Sequence, residues 1–367
     1  MIVLSVFALV HAVFFFFLAY NWRQLATVAL NPDSTFPAVT VLIPVRNEAL
    51  KIRDLLNTLQ HQEYPAEKIT VIVIDDHSQD NTAEVVRQLV PTYQYTLQVA
   101  SLQAPHAGKK AAATLGVELA QTDLILCTDG DCTLPSRWVR AHTDWMCQQG
   151  AQMVSAPVRM VPSNGLGRLQ AIEFSGLIGY GGITLSIGQP GMCNGANMAY
   201  RKAAFLAVGG YEGNAHIPTG DDEFLLQKIS KAYPGQVSFL KSKDAIVSTP
   251  AKQNFLELWG QRVRWTSKWR LHQGWYIKLS AVAGFLDFAS GIVLFAMLAS
   301  HFYWALALLL GRLLAEYVYL RSTASFLGVV SRGVDFLLIG LIYPFYAVFL
   351  GIASIFGKYS WKGRNYK

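Results

Sequence analysis

Two kinds of apolar segment alternate along this chain, and they predict two kinds of structure. Residues 2–20 form an apolar run with no formal charge. About 20 such residues cross a bilayer as a helix. Further long runs cover 279–299, 301–320 and 334–356. Between them the apolar stretches are short and bounded by turn residues, as strands are. Residues 38–45 read as a buried strand, and 48–60 have helical spacing with Leu50, Leu55, Leu56 and Leu59 on or near one face. A β-branched strand follows at 69–74, then a helix to about Leu89 that Asp80 or Asn81 caps. A strand at 95–100, an alanine-rich helix at 109–120 and a strand at 123–127 complete the series. Strands alternating with helices imply a parallel α/β sheet.

The later pattern is less regular. Residues 154–160 read as a strand. The glycine-rich apolar stretch 165–188 reads as a soft or interface-bound helix. From 254 to 275, Trp259, Trp265, Trp269 and Trp275 alternate with arginines and lysines. That is the pattern of a helix lying in the head-group layer. The expected organisation is a membrane helix at 1–22, a polar linker at 31–37 and an α/β domain at 36–250. An interface segment at 251–278, a membrane region at 279–357 and a basic tail at 358–367 follow.

Composition supports a membrane chain: 52% of the 367 residues are hydrophobic and 15% charged. Nothing basic precedes the first apolar run, so it reads as an anchor rather than a cleaved signal peptide. The net charge is +7, with the excess in 252–278 and 358–367. Basic flanks favour the cytoplasmic side of a cell (inner) membrane and contact with membrane lipids. No basic nucleic-acid motif appears, so no nucleic-acid partner is expected. Asp287, Arg312 and Glu316 interrupt two of the apolar runs; such groups face a protein interior or lie near head groups. One span before the α/β domain and three after it would place the basic tail opposite that domain. Either 334–356, broken by Pro344, is then re-entrant, or 301–320 lies in the interface. Cys127, Cys132, Cys147 and Cys193 have no metal-ligand spacing and read as small core residues.

The chemistry sits at the strand ends, where ligands of parallel sheets bind. Asp129-Gly130-Asp131 follows a buried strand. Two carboxylates two residues apart on a turn suit one hard divalent cation, Mg²⁺ or Mn²⁺, that also binds phosphate oxygens. Asp75-Asp76 ends another strand and can accept from ribose hydroxyls or a base N–H. Lys109 and Lys110 open a helix, whose N-terminus favours phosphate. Gly220-Asp221-Asp222-Glu223 opens an amphipathic run. A carboxylate there can take a proton from a hydroxyl, although acids also simply favour a helix N-terminus. Gln261, Arg264 and Trp265 put an amide, a guanidinium and an indole within five residues. Arginine matches diphosphate geometry.

Together these motifs resemble membrane-bound members of glycosyltransferase family 2, with a GT-A fold. Val41 to Glu48, including Pro44, Arg46 and Glu48, looks like the family's first nucleotide-contacting strand and loop. Ile74 to Asp80 looks like its D-D-x-S-x-D segment, with Asp75 and Asp76 on the nucleotide. Gly108-Lys109 resembles the lysine that meets the diphosphate. Asp129, Gly130 and Asp131 resemble the metal motif, with Asp131 as ligand. Gly195 to Tyr200 looks like the acceptor-side G-x-N segment, with Asn197. Gly220-Asp221-Asp222 resembles G-E-D, Asp221 replacing the usual glutamate and Asp222 matching the base. Gln261 to Trp265 is similar to the Q-x-x-R-W of membrane-embedded synthases and ceramide glucosyltransferases. The tail Trp361-Lys362-Gly363-Arg364 resembles the basic ending of the latter.

The resemblance implies an inverting, metal-dependent transfer of sugar from a nucleotide sugar, UDP-linked on this reading. The acceptor is a lipid or glycan presented at the membrane, and the domain is cytoplasmic on a multi-pass chain. A single transfer to a lipid is the favoured expectation. A processive synthase of extracellular polysaccharide is the alternative, and a non-enzymatic membrane nucleotide sensor a remote one.

Overall fold

The computed structural model describes residues 1–31, 35–215, 217, 219–267, 275–356, 359–361 and 364–366. The chain starts with α1 (Ile2–Gln24), β1 (Val39–Val45), α2 (Ile52–Gln60), β2 (Ile69–Asp75), α3 (Thr82–Leu89) and β3 (Thr96–Ser101). Then come α4 (Lys109–Leu119), β4 (Leu124–Cys127), α5 (Trp138–Gln149), β5 (Met153–Ser155), β6 (Val158–Val161) and α6 (Gly165–Ser186). Next are β7 (Met198–Arg201), α7 (Lys202–Ala207), α8 (Asp221–Ala232), β8 (Val237–Phe239) and β9 (Val247–Pro250). The chain continues through α9 (Phe255–Thr266), α10 (Trp275–Met297), α11 (Phe302–Phe326) and α12 (Gly333–Phe356) to β10 (Tyr359–Trp361) and β11 (Arg364–Tyr366). Pro32–Ser34 of the expected linker, Trp269 of the interface segment, and Lys358, Lys362, Gly363 and Lys367 of the tail lie outside the described residues.

Contacts divide the chain into two compact units. The first unit holds Leu25–Arg159 and Tyr180–Pro250. Its seven-stranded sheet has the order β3-β2-β1-β4-β7-β5-β8. Strands β1 to β4 are mutually parallel where they pair, and β7 runs antiparallel to β4 and β5. Their apolar, β-branched runs are buried on both faces, as a parallel sheet covered by helices requires. Register sets Val45 of β1 opposite Asp75 of β2. The acidic ends of β2 and β4 therefore flank the end of β1.

Two sequence expectations change here. The strand expected at 154–160 is two strands. Ala156 donates its N–H to the Asn197 carbonyl, and Pro157 has no N–H to continue a ladder. Val158–Val161 then pairs with β9 instead. The helix expected from residue 48 starts at Ile52, because Glu48 and Ala49 give their N–H groups to Thr82 Oγ1 and Asp80 Oδ2.

The second unit holds Met1–Gln24, Met160–Gly179 and Ala251–Lys367. Four of its helices are long and apolar enough to cross a membrane, within Ile2–Gln24, Lys278–Met297, Phe302–Phe326 and Gly333–Ile355. Four of the ionisable groups inside them meet one another. His11 Nδ1 lies 2.7 Å from Asp287 Oδ2, its Nε2 lies 2.9 Å from Glu316 Oε1, and Arg312 reaches Asp287 at 3.1 Å. An unpaired charge at such depth is costly, and pairing offsets that cost. Arg312 and Glu316 thus turn inward and do not require α11 to lie in the interface. The glycines of α6 serve close packing. A Cβ at Gly176 would come within 2.7 Å of Leu320, and one at Gly179 within 2.5 Å of Thr323. Tyr319 of α11 donates to the freed Gly176 carbonyl at 2.5 Å.

Candidate active site

The loops after β1 and β2 are stitched together. Arg46 is buried, and its Nη1 donates to the carbonyls of Asp76 and His77, both at 2.7 Å. Asn47 and His77 take left-handed φ values of 55° and 53°, which turns both loops back at the strand ends. Asn47 donates its N–H to Ser78 Oγ at 2.9 Å and accepts from the Gln79 N–H at 2.7 Å. Asp75 accepts from the Ser78 N–H at 3.3 Å. Asp75 and Asp76 are both buried, at 7% and 3% exposure. They sit where the expected nucleoside would meet the sheet, with Pro44 on β1 opposite Ile74. The Arg46 side chain braces this ledge through those carbonyls.

A second group converges beside it. Lys109 opens α4, and its Nζ lies 2.8 Å from Asp129 Oδ1 and 3.2 Å from Asp221 Oδ2. Burial alone would lower the Lys109 pKa, but Asp129 and Asp221 outweigh burial and hold it well above the ordinary lysine value. Asp221 is pushed up by burial and by Asp222 and Asp129, against the pull of Lys109. Gly130 packs against Val45 and Glu48, and Asp131 Oδ2 lies 3.7 Å from Lys51 Nζ.

Asp222 sits in the first turn of α8, after Gly220 in a left-handed conformation. Its Oδ2 accepts from the Gly195 N–H at 3.0 Å and its Oδ1 from the Glu223 N–H at 2.8 Å. A Cβ at residue 195 would lie 2.9 Å from Lys109 Nζ and 3.1 Å from Asp221 Oδ2, so the glycine lets these groups approach its backbone. The structure therefore brings Lys109, Asp129, Asp221, Asp222 and Gly195 together.

Asn197 departs from its expected role facing the acceptor. It is fully buried. Its Oδ1 accepts from Trp138 Nε1 at 2.8 Å and His142 Nε2 at 2.9 Å. Its Nδ2 donates to the carbonyls of Pro157 and Ala245, both at 2.7 Å. The amide has two donors and two acceptor sites, and all four are used inside the fold. It braces the Asn194–Asn197 turn that carries Gly195. Burial pushes the pKa of its partner His142 down to about 4, so that imidazole is neutral and donates from Nε2.

Gln261, Arg264 and Trp265 lie on α9, in the second unit. The buried polar residue of that run is Arg262. It pairs with Glu173 of α6 at 2.6 Å, donates to Gln261 Oε1 at 3.1 Å, and sits 4.4 Å from the Trp265 ring. Sequence reading passed over Arg262, Trp138, His142 and Lys51. The one available signal was the acid Glu173 inside an otherwise apolar stretch, which calls for a buried cation.

The donor set suits a hard cation. Asp129 and Asp131 offer carboxylate oxygens beyond β4. Among the described residues no group of three or more His, Cys, Asp or Glu is assembled to hold a metal. A magnesium-type ion is commonly held by one or two carboxylates plus substrate phosphates. The residues fit that arrangement, with phosphate supplying the remaining ligands.

Comparison with known proteins agrees. Residues 40–209 match the family described as Glycosyl transferase family 2. The glycosyltransferase AglE of Haloferax volcanii is 34% identical over 132 residues, 36% of this chain and 43% of AglE. The poly-β-1,6-N-acetyl-D-glucosamine synthase of Staphylococcus epidermidis is 22% identical over 271 residues, 72% of this chain and 62% of that protein. The chain thus spans less than two thirds of either relative. The mannosyltransferase PcManGT from Pyrobaculum calidifontis, solved with GDP-Man and Mn²⁺, shares the fold at a TM-score of 0.55. It is 19% identical, and the match covers 96% of both chains. Residues 40–209 are therefore similar to glycosyltransferase family 2, on a fold shared with PcManGT, and the chain has four helices long and apolar enough to cross a membrane.

Proposed function

We propose that the chain transfers a sugar from a nucleoside diphosphate sugar to a hydroxyl of a lipid acceptor, with inversion at the anomeric carbon. The observation that carries this is the placement of Asp222 beside the Lys109–Asp129–Asp221 group in one compact unit. A carboxylate held by two backbone N–H groups stands next to a lysine at a helix N-terminus, which suits diphosphate. Asp222 accepts the proton of the acceptor hydroxyl as its oxygen bonds to the anomeric carbon. The bond from that carbon to the diphosphate breaks on the opposite face, and Lys109 stabilises the charge that departs. A divalent cation at Asp131 and Asp129 offsets the same charge when bound. Asp75 and Asp76 hold the nucleoside, which is uridine on this reading. For Gln261, Arg264 and Trp265 the reading rests on their motif alone, as groups suited to phosphate and sugar.

The membrane helices favour a lipid acceptor. His11, Asp287, Arg312 and Glu316 pair with one another, and Ala8, Leu294 and Leu309 form a buried apolar cluster, so these side chains serve helix packing. A second reading, processive polysaccharide synthesis, draws support from the length of the match to the Staphylococcus epidermidis synthase. Membranes holding the chain, incubated with labelled nucleotide sugars, are expected to yield an organic-extractable glycolipid. A long water-soluble polymer supports the second reading, and no transfer from any donor overturns both.

The domain faces the cytoplasm, on the side favoured by the basic flanks of α10. α12 lies shallow in the bilayer, with both ends on that same side. Asp335 in its first turn pairs with Arg168 of α6 at 3.0 Å. Tyr346, past Pro344, meets Trp259 of α9 with ring centroids 6.2 Å apart, and β10 beyond the helix lies beside α9. A C-terminal tag is expected to be protease-accessible from the side that exposes the α/β domain. Access only from the opposite side would show that α12 crosses.

A further inference from the structure

The same lysine that suits the diphosphate also engages the carboxylate that suits the metal. Lys109 Nζ lies 2.8 Å from Asp129 Oδ1 and 3.2 Å from Asp221 Oδ2. Lys51 stands over the other carboxylate of the turn, 3.7 Å from Asp131 Oδ2. Each acid of Asp129-Gly130-Asp131 therefore already has an ammonium partner. A Mg²⁺-type ion binds carboxylate oxygen at about 2.1 Å. An ion on Asp129 Oδ1 would sit less than about 5 Å from an ammonium held on the same oxygen, where like charges repel. The side chain of Lys109 is 21% exposed, and Gly195 closes against its tip, so the ammonium cannot simply swing into solvent.

We propose that Lys109 is a resident counter-ion that keeps the divalent cation off Asp129 until a nucleoside diphosphate draws the ammonium away, so that metal and donor bind only together. The inference rests on the reading of Lys109 as a diphosphate contact and extends it. Charge balance supports the exchange: a diphosphate gives the ammonium a new anionic partner as the cation takes its place on Asp129. The donor set supports it as well. Among the described residues no three-ligand cluster exists to hold a metal by itself, so phosphate oxygens complete the coordination. The functional consequence is an ordered site. Free cation does not occupy the acidic turn until a nucleotide has drawn Lys109 from Asp129.

The test is Mn²⁺ binding to the purified full chain, read from the loss of the free-ion electron paramagnetic resonance signal beyond that caused by the same nucleotide without the chain. Titrations are run alone, with UDP and with GDP. For the wild-type chain, nucleotide is expected to tighten Mn²⁺ binding by about 100-fold, the upper part of the usual range for coupled sites. Lys109→Met is expected to bind Mn²⁺ alone about 10-fold tighter than wild type, with the gain from nucleotide reduced to match. A folded Lys109→Met chain that binds Mn²⁺ alone no tighter than wild type overturns the proposal. Should that variant fail to fold, Lys109→Gln is read in the same way. Wild-type binding of Mn²⁺ alone as tight as with nucleotide overturns the proposal without any variant. If neither UDP nor GDP retains Mn²⁺, the diphosphate site itself is refuted. If nucleotide retains it but Lys109→Met gains nothing, only the counter-ion role fails.

Discussion

Asp222→Asn is expected to lower kcat by about 10³-fold, within the range that a positioned general base contributes. The amide has nearly the shape of the carboxylate but cannot take the acceptor proton. Its one oxygen can accept from the Gly195 N–H or the Glu223 N–H, and its NH₂ then faces the other donor. That mismatch costs about 1–2 kcal/mol of stability, so the folded fraction is checked by thermal unfolding alongside the kinetics. Nucleotide affinity is expected to stay within about threefold, because the diphosphate is assigned to Lys109 and the cation to Asp129 and Asp131. A fall in kcat without loss of donor binding is the signature of an interaction made only in the transition state. Full activity in the variant would refute the base assignment. A variant that lost nucleotide binding instead would move Asp222 into the donor pocket.

Asn197→Ala is expected to act through stability. It strands the Trp138 and His142 N–H groups and the Pro157 and Ala245 carbonyls, all of which now meet the Asn197 amide in the core. An unsatisfied buried polar group costs about 1–3 kcal/mol, and water entering the space left recovers part of that. A net loss of about 3–5 kcal/mol is expected. With about 2–4 °C per kcal/mol for a domain of this size, Tm falls by about 10 °C. Molecules that remain folded at low temperature are expected to keep the wild-type KM for the acceptor. An unchanged Tm with a raised acceptor KM would restore the role that the G-x-N resemblance implied for this residue.

These two residues also show which parts of the molecule could be read from its sequence. Strands β1, β2 and β4 were legible because their apolar runs are buried, and β2 and β4 run abruptly into acids. The ends carried the functional reading, since topology alone places them on one edge. The break at Pro157 was missed because Val154 to Met160 is apolar throughout, and only the Asn197 carbonyl, 41 positions away from Ala156, explains the departure. Asn197 itself shows the limit. Its motif gave the position, but the direction of its side chain depends on Trp138 and His142 of α5, which no local pattern connects to β7. Lys109 was recognised at a helix N-terminus. Its second partner, Asp221, comes from a helix far along the chain. The same holds for His11, whose partners Asp287 and Glu316 lie in the last third of the sequence. In each case local periodicity reports the element, and long-range pairing decides what the polar residue does.

The most direct measurement of the central claim is release of nucleoside diphosphate from a panel of UDP- and GDP-sugars by the wild-type chain in membranes, with Asp222→Asn run in parallel. The expected result is release from at least one donor that depends on added Mg²⁺ or Mn²⁺ and falls about 10³-fold in the variant. Release that is equal in both chains, or absent with every donor while the chain is folded and binds nucleotide, would contradict the assignment of Asp222 as the base of a sugar transfer.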